Sequence, residues 1–322
     1  MKGTVAVTGA SGFVGQALVE QLLASGWGVR ALVHRQKLPS SLHSETLQTV
    51  HGSLGDETAL HALLAGVDAV VHVAGRVRGR TEEDFRQVNA AGVERLTRAA
   101  LAESRPLRFI LISSLAAREP GLSPYAASKR EGEVLLTSLA KGSALSCAIL
   151  RPPAVYGPGD EEMAPLFKAM AWGVAPILGA AGARASLIHV NDLASAILAL
   201  LDSEATGTYE IHDGRPEGYS WDDIATTVEG VVGRGRGWRL RVPAALLRGW
   251  ASANLFAARI FGYQPMLTPG KVNELRHPNW VCDNTEFSRA TGWQPAVTLR
   301  EGLPGILKRA RPRTDEGISD VE

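Results

Sequence analysis

The chain has 322 residues, enough for a full core and for more than one folding unit. Its composition is that of an ordinary globular protein: 45% hydrophobic, 21% charged and 6% aromatic. With 34 basic residues against 33 acidic ones the formal net charge is +1, so bulk charge gives no support to nucleic-acid or anionic-membrane binding. The two cysteines, Cys147 and Cys282, stand far apart and in no C-x-x-C spacing, so neither a disulfide framework nor a zinc site is expected.

Met1-Lys2-Gly3 runs directly into an apolar strand, without the longer apolar stretch and small-residue cleavage site of a secretory signal. No apolar run approaches the roughly 18–20 residues of a membrane span. A cytoplasmic protein acting on a small molecule is expected, with no nucleic acid and no membrane span.

In chain order, apolar runs at 4–8, 29–34, 47–51, 69–74, 109–113 and 146–150 read as strands. They are rich in Val, Ile and Leu with little polar alternation, which suits parallel strands covered on both faces. Helical patterns at 14–25, 58–64 and 82–104 lie between them; the first ends at Gly26, the second at Ala65-Gly66, and the third stops before Pro106. Such alternation implies right-handed crossovers and a doubly wound parallel α/β sheet, which binds ligands at the carboxyl ends of its strands.

The second half changes character. Pro and Gly cluster at 151–159, a strand at 188–189 leads into a helix at 191–201, residues 207–211 read as a strand, and 240–261 is an apolar-rich helical stretch. The expected organisation is a dinucleotide-binding domain over 1–158, to which 184–212 returns. A smaller, discontinuous substrate lobe takes 159–183 and 213–312, and 313–322 is expected to be a disordered tail.

Immediately after the first strand stands TGASGFVG, residues 8–15. Gly9 permits the tight strand-to-helix turn, Gly12 lets backbone approach a pyrophosphate, and Gly15 lets the helix pack closely on the sheet. The expected contacts are Gly9, Ser11, Gly12, Phe13, Val14 and Gly15, with phosphates meeting free N–H groups at the helix start. The spacing is G-x-x-G-x-x-G rather than G-x-G-x-x-G, and its position between a strand and a helix is what gives three glycines meaning. The second strand ends in Val33-His34-Arg35 with no acid to bond a ribose 2′-hydroxyl. Arg35, with His34 beside it, can pair with a 2′-phosphate, so NADP(H) is favoured over NAD(H).

The fifth strand ends in Ser113-Ser114, and eleven positions after Ser114 stands Tyr125, followed four later by Lys129. Ser123-Pro124 is a good helix start, which puts Tyr125 and Lys129 one turn apart on one face. A phenol titrates near 10 and needs help to work near neutrality; a nearby ammonium favours its ionised form. A serine hydroxyl beside it can hold a carbonyl while hydride moves.

These residues, together with VVHVAG (70–75), VNAAGVERL (88–96), RPPAVYGPGD (151–160), LIHVNDLASA (187–196) and a closing segment at 283–302, resemble the extended short-chain dehydrogenase/reductase superfamily, in its NAD-dependent epimerase/dehydratase group. The resemblance runs over roughly residues 3–303. It implies Ser114 as the substrate-polarising serine, with Ser113 as its rival, and Tyr125 as acid/base. Lys129 would bind the nicotinamide ribose and lower the tyrosine pKa. Ala74, Gly75 and Ser113 would line the cofactor pocket, Pro152 to Val155 would flank the nicotinamide, and Asn89 would support the neighbouring strand or a water. Dimerisation through helices at 82–104 and 125–139 is a further implication.

Departures from the pattern matter as well. Gly52-Ser53 stands where the family often has Gly-Asp, which leaves Leu54 to pack against adenine. Ala185 stands where nucleotide-sugar enzymes commonly carry arginine, with Arg184 one place off, and this weakens a nucleotide-sugar substrate. His72 and His189 read as structural, Asp192 as a helix anchor, and the helix at 242–261 as a lid or lobe core that, if it lines the pocket, favours an apolar substrate. A ketone reductase or alcohol dehydrogenase is thus the leading expectation, ahead of a sugar-nucleotide epimerase or dehydratase and of a non-catalytic dinucleotide-binding protein.

Overall fold

The computed structural model describes residues 2–42, 44–103 and 105–307. The expected tail at 313–322, the preceding residues 308–312, and Ser104 lie outside the described residues. The first half alternates strand and helix: β1 (Thr4–Thr8), α1 (Phe13–Ala24), β2 (Gly28–Val33), β3 (Leu47–His51), α2 (Glu57–Leu64), β4 (Ala69–His72), α3 (Glu82–Asn89), α4 (Ala91–Ala102), β5 (Leu107–Ile112), α5 (Pro124–Ala140) and β6 (Leu145–Arg151). There follow β7 (Ala154–Tyr156), α6 (Ala164–Ala171), β8 (Val174–Ile177), β9 (Arg184–Ala185), β10 (Leu187–His189), α7 (Val190–Leu201) and β11 (Gly207–Glu210). The chain then forms β12 (Tyr219–Ser220), α8 (Trp221–Val232), β13 (Trp238–Arg241), α9 (Ala244–Phe261), α10 (Pro269–Arg276), β14 (Asn279–Trp280), α11 (Thr285–Thr291) and α12 (Leu299–Leu307).

A seven-stranded sheet of order β11-β6-β5-β4-β1-β2-β3 carries the first half, every pairing in it parallel. The strands alternate sides in a way that explains their unbroken hydrophobicity. Val5, Val7, Val71, Ile110 and Leu150 face one layer with α1 and α7, while Ala6, Val70, Phe109, Leu111 and Ile149 face the other with α2, α4 and α5. Both faces are therefore dry, as a Rossmann-type doubly wound sheet requires. Each buried Leu, Ile or Phe contributes roughly 1.5–3 kcal/mol. The edge strand β3 is the exception: Gln48, Thr49 and His51 are exposed and Leu47 and Val50 only half-buried. Strand order reverses between β1 and β4, and the crevice above their carboxyl ends is the place such sheets reserve for a ligand.

The second half builds a lobe over that rim. Strand β9 pairs with β12 antiparallel and β14 parallel, and β8 pairs with β13. A separate core of Phe167, Met170, Ile224, Val228, Leu299 and Leu303 joins α6, α8 and α12.

Two expectations are corrected here. The helix read over 82–104 is broken at Ala90, where φ −115° and ψ −63° leave ideal helical values. The cause is packing: α5 presses Gly132 onto this point so closely that a Cβ there would lie 2.3 Å from the Asn89 carbonyl oxygen. The helix read over 240–261 begins only at Ala244, because Trp238–Arg241 pairs with Val174–Ile177 and Pro243 supplies the turn between strand and helix.

Candidate active site

The loop between β1 and α1 is shaped by backbone contact. Gly9 has φ +73°, and a Cβ on it would lie 2.5 Å from the Ala74 nitrogen. A Cβ on Gly15 would lie 2.0 Å from the Gly9 oxygen, so α1 starts as close to the loop as a glycine allows. Gln16 pins the turn by donating from Nε2 to the Ser11 carbonyl at 2.7 Å. No side chain caps α1, so the amides of its first turn face the crevice without an intrahelical acceptor. The loop after β4 is held by Asn89, which accepts from the Arg76 amide at 2.8 Å and donates to its carbonyl at 3.0 Å and to Ser128 Oγ at 2.9 Å.

Ser123 caps α5 through the Ala126 amide at 3.0 Å and sets Tyr125 in the first turn. Tyr125 packs edge-on against Phe85, with ring centroids 6.3 Å apart, and Ser114 lies close enough to its hydroxyl to favour the ionised form. Burial raises the phenol's pKa; the neighbouring Ser114 hydroxyl and the Lys271 charge oppose that, while Glu274 and Glu162 add to it. Its proton is therefore held firmly at neutral pH. Lys129, one turn on, is buried and donates from Nζ to the Ile112 carbonyl at 2.9 Å. Burial pulls this ammonium down to about 8, against the attraction of Glu133. Gly75 leaves room for it: a Cβ there would sit 3.0 Å from Nζ.

The two adjacent serines face different ways. Ser113 is buried and donates to Glu133 at 2.5 Å, and the same carboxylate accepts from Arg151 at 2.8 and 2.6 Å. Ser114 keeps partial exposure and turns toward Tyr125. A cleft of about 1900 Å³ runs from the α1 start to the lobe, and its wall includes Gly9, Ser11, Gly12, Phe13, Val14, Gly15, Ala74, Gly75, Ser113, Ser114, Tyr125, Lys129, Pro152 and Val155. His34 and Arg35 stand exposed at the end of β2 outside that wall. Leu54 is also outside it, packed on Gly92 of α4, where a Cβ would meet it at 2.8 Å.

Several cleft residues carry no signal in the sequence motifs. Lys271 and Glu274 reach Tyr125 from α10, joined by a 3.1 Å ion pair, and Ser123 Oγ donates to the same Glu274. Arg78 pairs with Glu162 at 2.6 Å across the cleft. His72 bonds to Thr8 Oγ1 at 2.7 Å, and complete burial holds its pKa near 3. His189 caps α7, accepting from the Asn191 amide at 3.3 Å, and Asp192 ties down the Ala296 and Val297 amides. Arg184 is engaged with the Glu217 and Gly218 carbonyls and with Asp223.

The model of the NAD dependent epimerase/dehydratase family matches residues 5–211. This chain belongs to that family. Among its relatives, the ceramide reductase of Caulobacter vibrioides (strain NA1000 / CB15N) is 40% identical over 321 residues, covering 91% of this chain and 97% of that protein. The UDP-glucose 4-epimerase of Vibrio cholerae is 28% identical over 330 residues, covering 94% of each. The solved UDP-glucose 4-epimerase of Thermotoga maritima matches with a TM-score of 0.74 at 20% identity, covering 95% of this chain and 97% of that one, and shares the fold. The relatives this chain resembles thus include a reductase and epimerases.

Proposed function

We propose that this protein reduces a ketone on a molecule with a long apolar chain. Tyr125 is the proton donor, Ser114 the carbonyl anchor and Lys129 the supporting cation. The observation that carries the reading is the Ser114–Tyr125 pair in the cleft that begins at the uncapped start of α1. A nicotinamide dinucleotide fits the cradle on this structure's own terms: the uncapped amides of the first α1 turn would hold its phosphate oxygens, which the bend at Gly9 would let approach the backbone. When bound it supplies the hydride.

The protein's own groups do the rest. Ser114 and Tyr125 donate hydrogen bonds to the carbonyl oxygen, which polarises the carbon. As that carbon takes hydride, Tyr125 transfers its proton to the oxygen, and the resulting phenolate is held beside Lys271 until solvent reprotonates it. A phenol raised by burial is protonated at neutral pH, the form a reduction consumes. Lobe residues Leu166, Leu178, Leu255, Met266 and Leu267 give the cleft an apolar end suited to an alkyl chain. The 40% identity to a ceramide reductase supports that substrate class. Arg184 is engaged by the Glu217 and Gly218 carbonyls and Asp223, and Ala185 stands at the position beside it, which favours the ketone over a nucleotide sugar.

Tyr125→Phe is expected to lower the turnover of ketone reduction by about 10²–10⁴ while dinucleotide binding persists. An unchanged turnover overturns the reading and leaves only a binding role. NADP(H) is proposed ahead of NAD(H) because Arg35 stands free at the end of β2 and no carboxylate ends that strand. Arg35→Asp should shift the ratio of kcat/KM for the two cofactors toward NAD(H) by roughly tenfold or more, the worth of one charge-assisted bond. An unmoved ratio removes the preference.

A further inference from the structure

Helix α9 is built inside out. It packs inward through Leu247, Ala251 and Ala258, closing on Val272, whereas its bulky side chains point away from the protein. Trp250 is 62% exposed, Phe256 67% and Phe261 77%, with Leu246 and Ile260 beside them. Residues 246, 250, 253, 257 and 260 repeat at helical spacing, so the outward face is one continuous apolar stripe. The strand that feeds the helix adds Trp238, 84% exposed. Large apolar surfaces of this kind on a folded protein mark a contact with something apolar.

Charge says what that contact is. Residues 230–273 hold six arginines and one lysine and no carboxylate; Arg236, Arg239 and Lys271 are paired with Asp222, Glu229 and Glu274 outside the segment, and the other arginines are not ion-paired among the described residues. Arg241, Arg248 and Arg259 are exposed, and no ion pair holds them among the described residues. A second copy of this chain meeting the same face would set arginine against arginine with no acid in the segment to neutralise it. Trp and Phe on one face with arginines at its flanks is instead the composition of a helix lying in a phospholipid headgroup layer. The helix is not long and apolar enough to cross a bilayer, nor is any other helix among the described residues. The same element borders the cleft, to which Leu255, Arg259 and Met266 contribute.

We propose that the outward face of α9 docks on the surface of an anionic phospholipid bilayer and holds the cleft mouth against the lipid. That a bilayer-resident ketone then enters directly from the membrane rests on the function proposed above; the docking itself does not.

The experiment is flotation of the full chain with vesicles of phosphatidylcholine alone and of phosphatidylcholine mixed with phosphatidylglycerol. The protein is expected to float with the mixed vesicles, roughly tenfold or more tighter than with the neutral ones, and to be released by salt. The variant Trp250→Ser/Phe256→Ser/Phe261→Ser should lose flotation, and Arg248→Glu should reduce only the preference for anionic lipid, with thermal melts confirming that both are folded. No flotation of the wild type, equal binding to both vesicles, flotation that survives the triple substitution, or a dimer that the same substitutions dissolve without lipid binding each overturn the proposal. Reduction of a water-soluble ketone without vesicles is read in parallel. Losing it in Tyr125→Phe bears on the site, and losing flotation bears on the docking alone.

Discussion

Tyr125 and Lys129 share one helical turn, and burial moves the two groups in opposite chemical senses. It raises the phenol and lowers the ammonium to about 8. Lys129 is therefore charged below about pH 8 and neutral above it, and ketone reduction should lose kcat/KM as pH rises through that value. A pH–rate profile checks this: wild type is expected to show the limb, and Lys129→Met to be slower and flat there. Stability moves the other way. Because the folded value lies below the free value of 10.5, the unfolded chain binds more protons between about 8 and 10.5, and this residue's contribution to stability rises across that window. Denaturation titrations of the wild type minus Lys129→Met should show that opposite slope. The adjacency of Tyr125 and Lys129 was legible in the sequence because helix periodicity converts a spacing of four into one turn. Lys271 and Glu274 were not, since they arrive from α10, with Glu274 151 residues from the Ser123 it bonds, through a tertiary fold that no local pattern encodes. The effect on Tyr125 is accordingly redistributed, with Lys271 and Ser114 opposing the burial that was expected to be countered by Lys129.

At the scale of elements, the alternation of buried strands and helices was readable because both faces of the sheet are apolar and the turn residues are glycine or proline. What escaped were boundaries fixed by a distant neighbour, such as the break at Ala90 beneath Gly132 and the strand β13, which exists only because β8 lies next to it. The phosphate loop belongs to the readable class, yet the structure changes the weight of its glycines. Gly12 has a single neighbour at 3.3 Å, whereas Gly15 abuts the Gly9 oxygen at the 2.0 Å a Cβ would reach. Gly15→Ala must push the start of α1 away from the Gly9–Ala10 loop, and overpacking of this kind typically costs about 1–3 kcal/mol. The expected outcome is a lower Tm together with weakened dinucleotide binding by fluorescence titration. Gly12→Ala should leave the Tm close to wild type while still weakening the dinucleotide.

For the whole molecule, the question is what holds the lobe over the sheet. Arg118, just after β5, donates to the Val281 carbonyl at 2.9 Å and the Asn279 carbonyl at 3.3 Å, pairs with Glu210 at 3.3 Å, and sits 5.9 Å from the Trp280 ring centroid. Asn273 donates to the Leu122 carbonyl from the lobe side at 3.1 Å, and the Ser123–Glu274 bond closes the same seam. These contacts lie away from the α1 start and beside the end of the cleft where Tyr125 and Lys271 face each other, so they govern the lobe's position over a substrate rather than the dinucleotide cradle. Arg118→Ala removes several charge-assisted bonds at once, each worth about 1.5–3 kcal/mol when its partner is left unpaired. It should therefore raise KM for the ketone by roughly tenfold or more and lower the Tm, with the dinucleotide Kd within about twofold of wild type, since every 1.4 kcal/mol is a factor of ten. Steady-state kinetics and titration of the dinucleotide alone separate the two effects, and a matched rise in both constants would mean that the seam and the cradle form one mechanical unit.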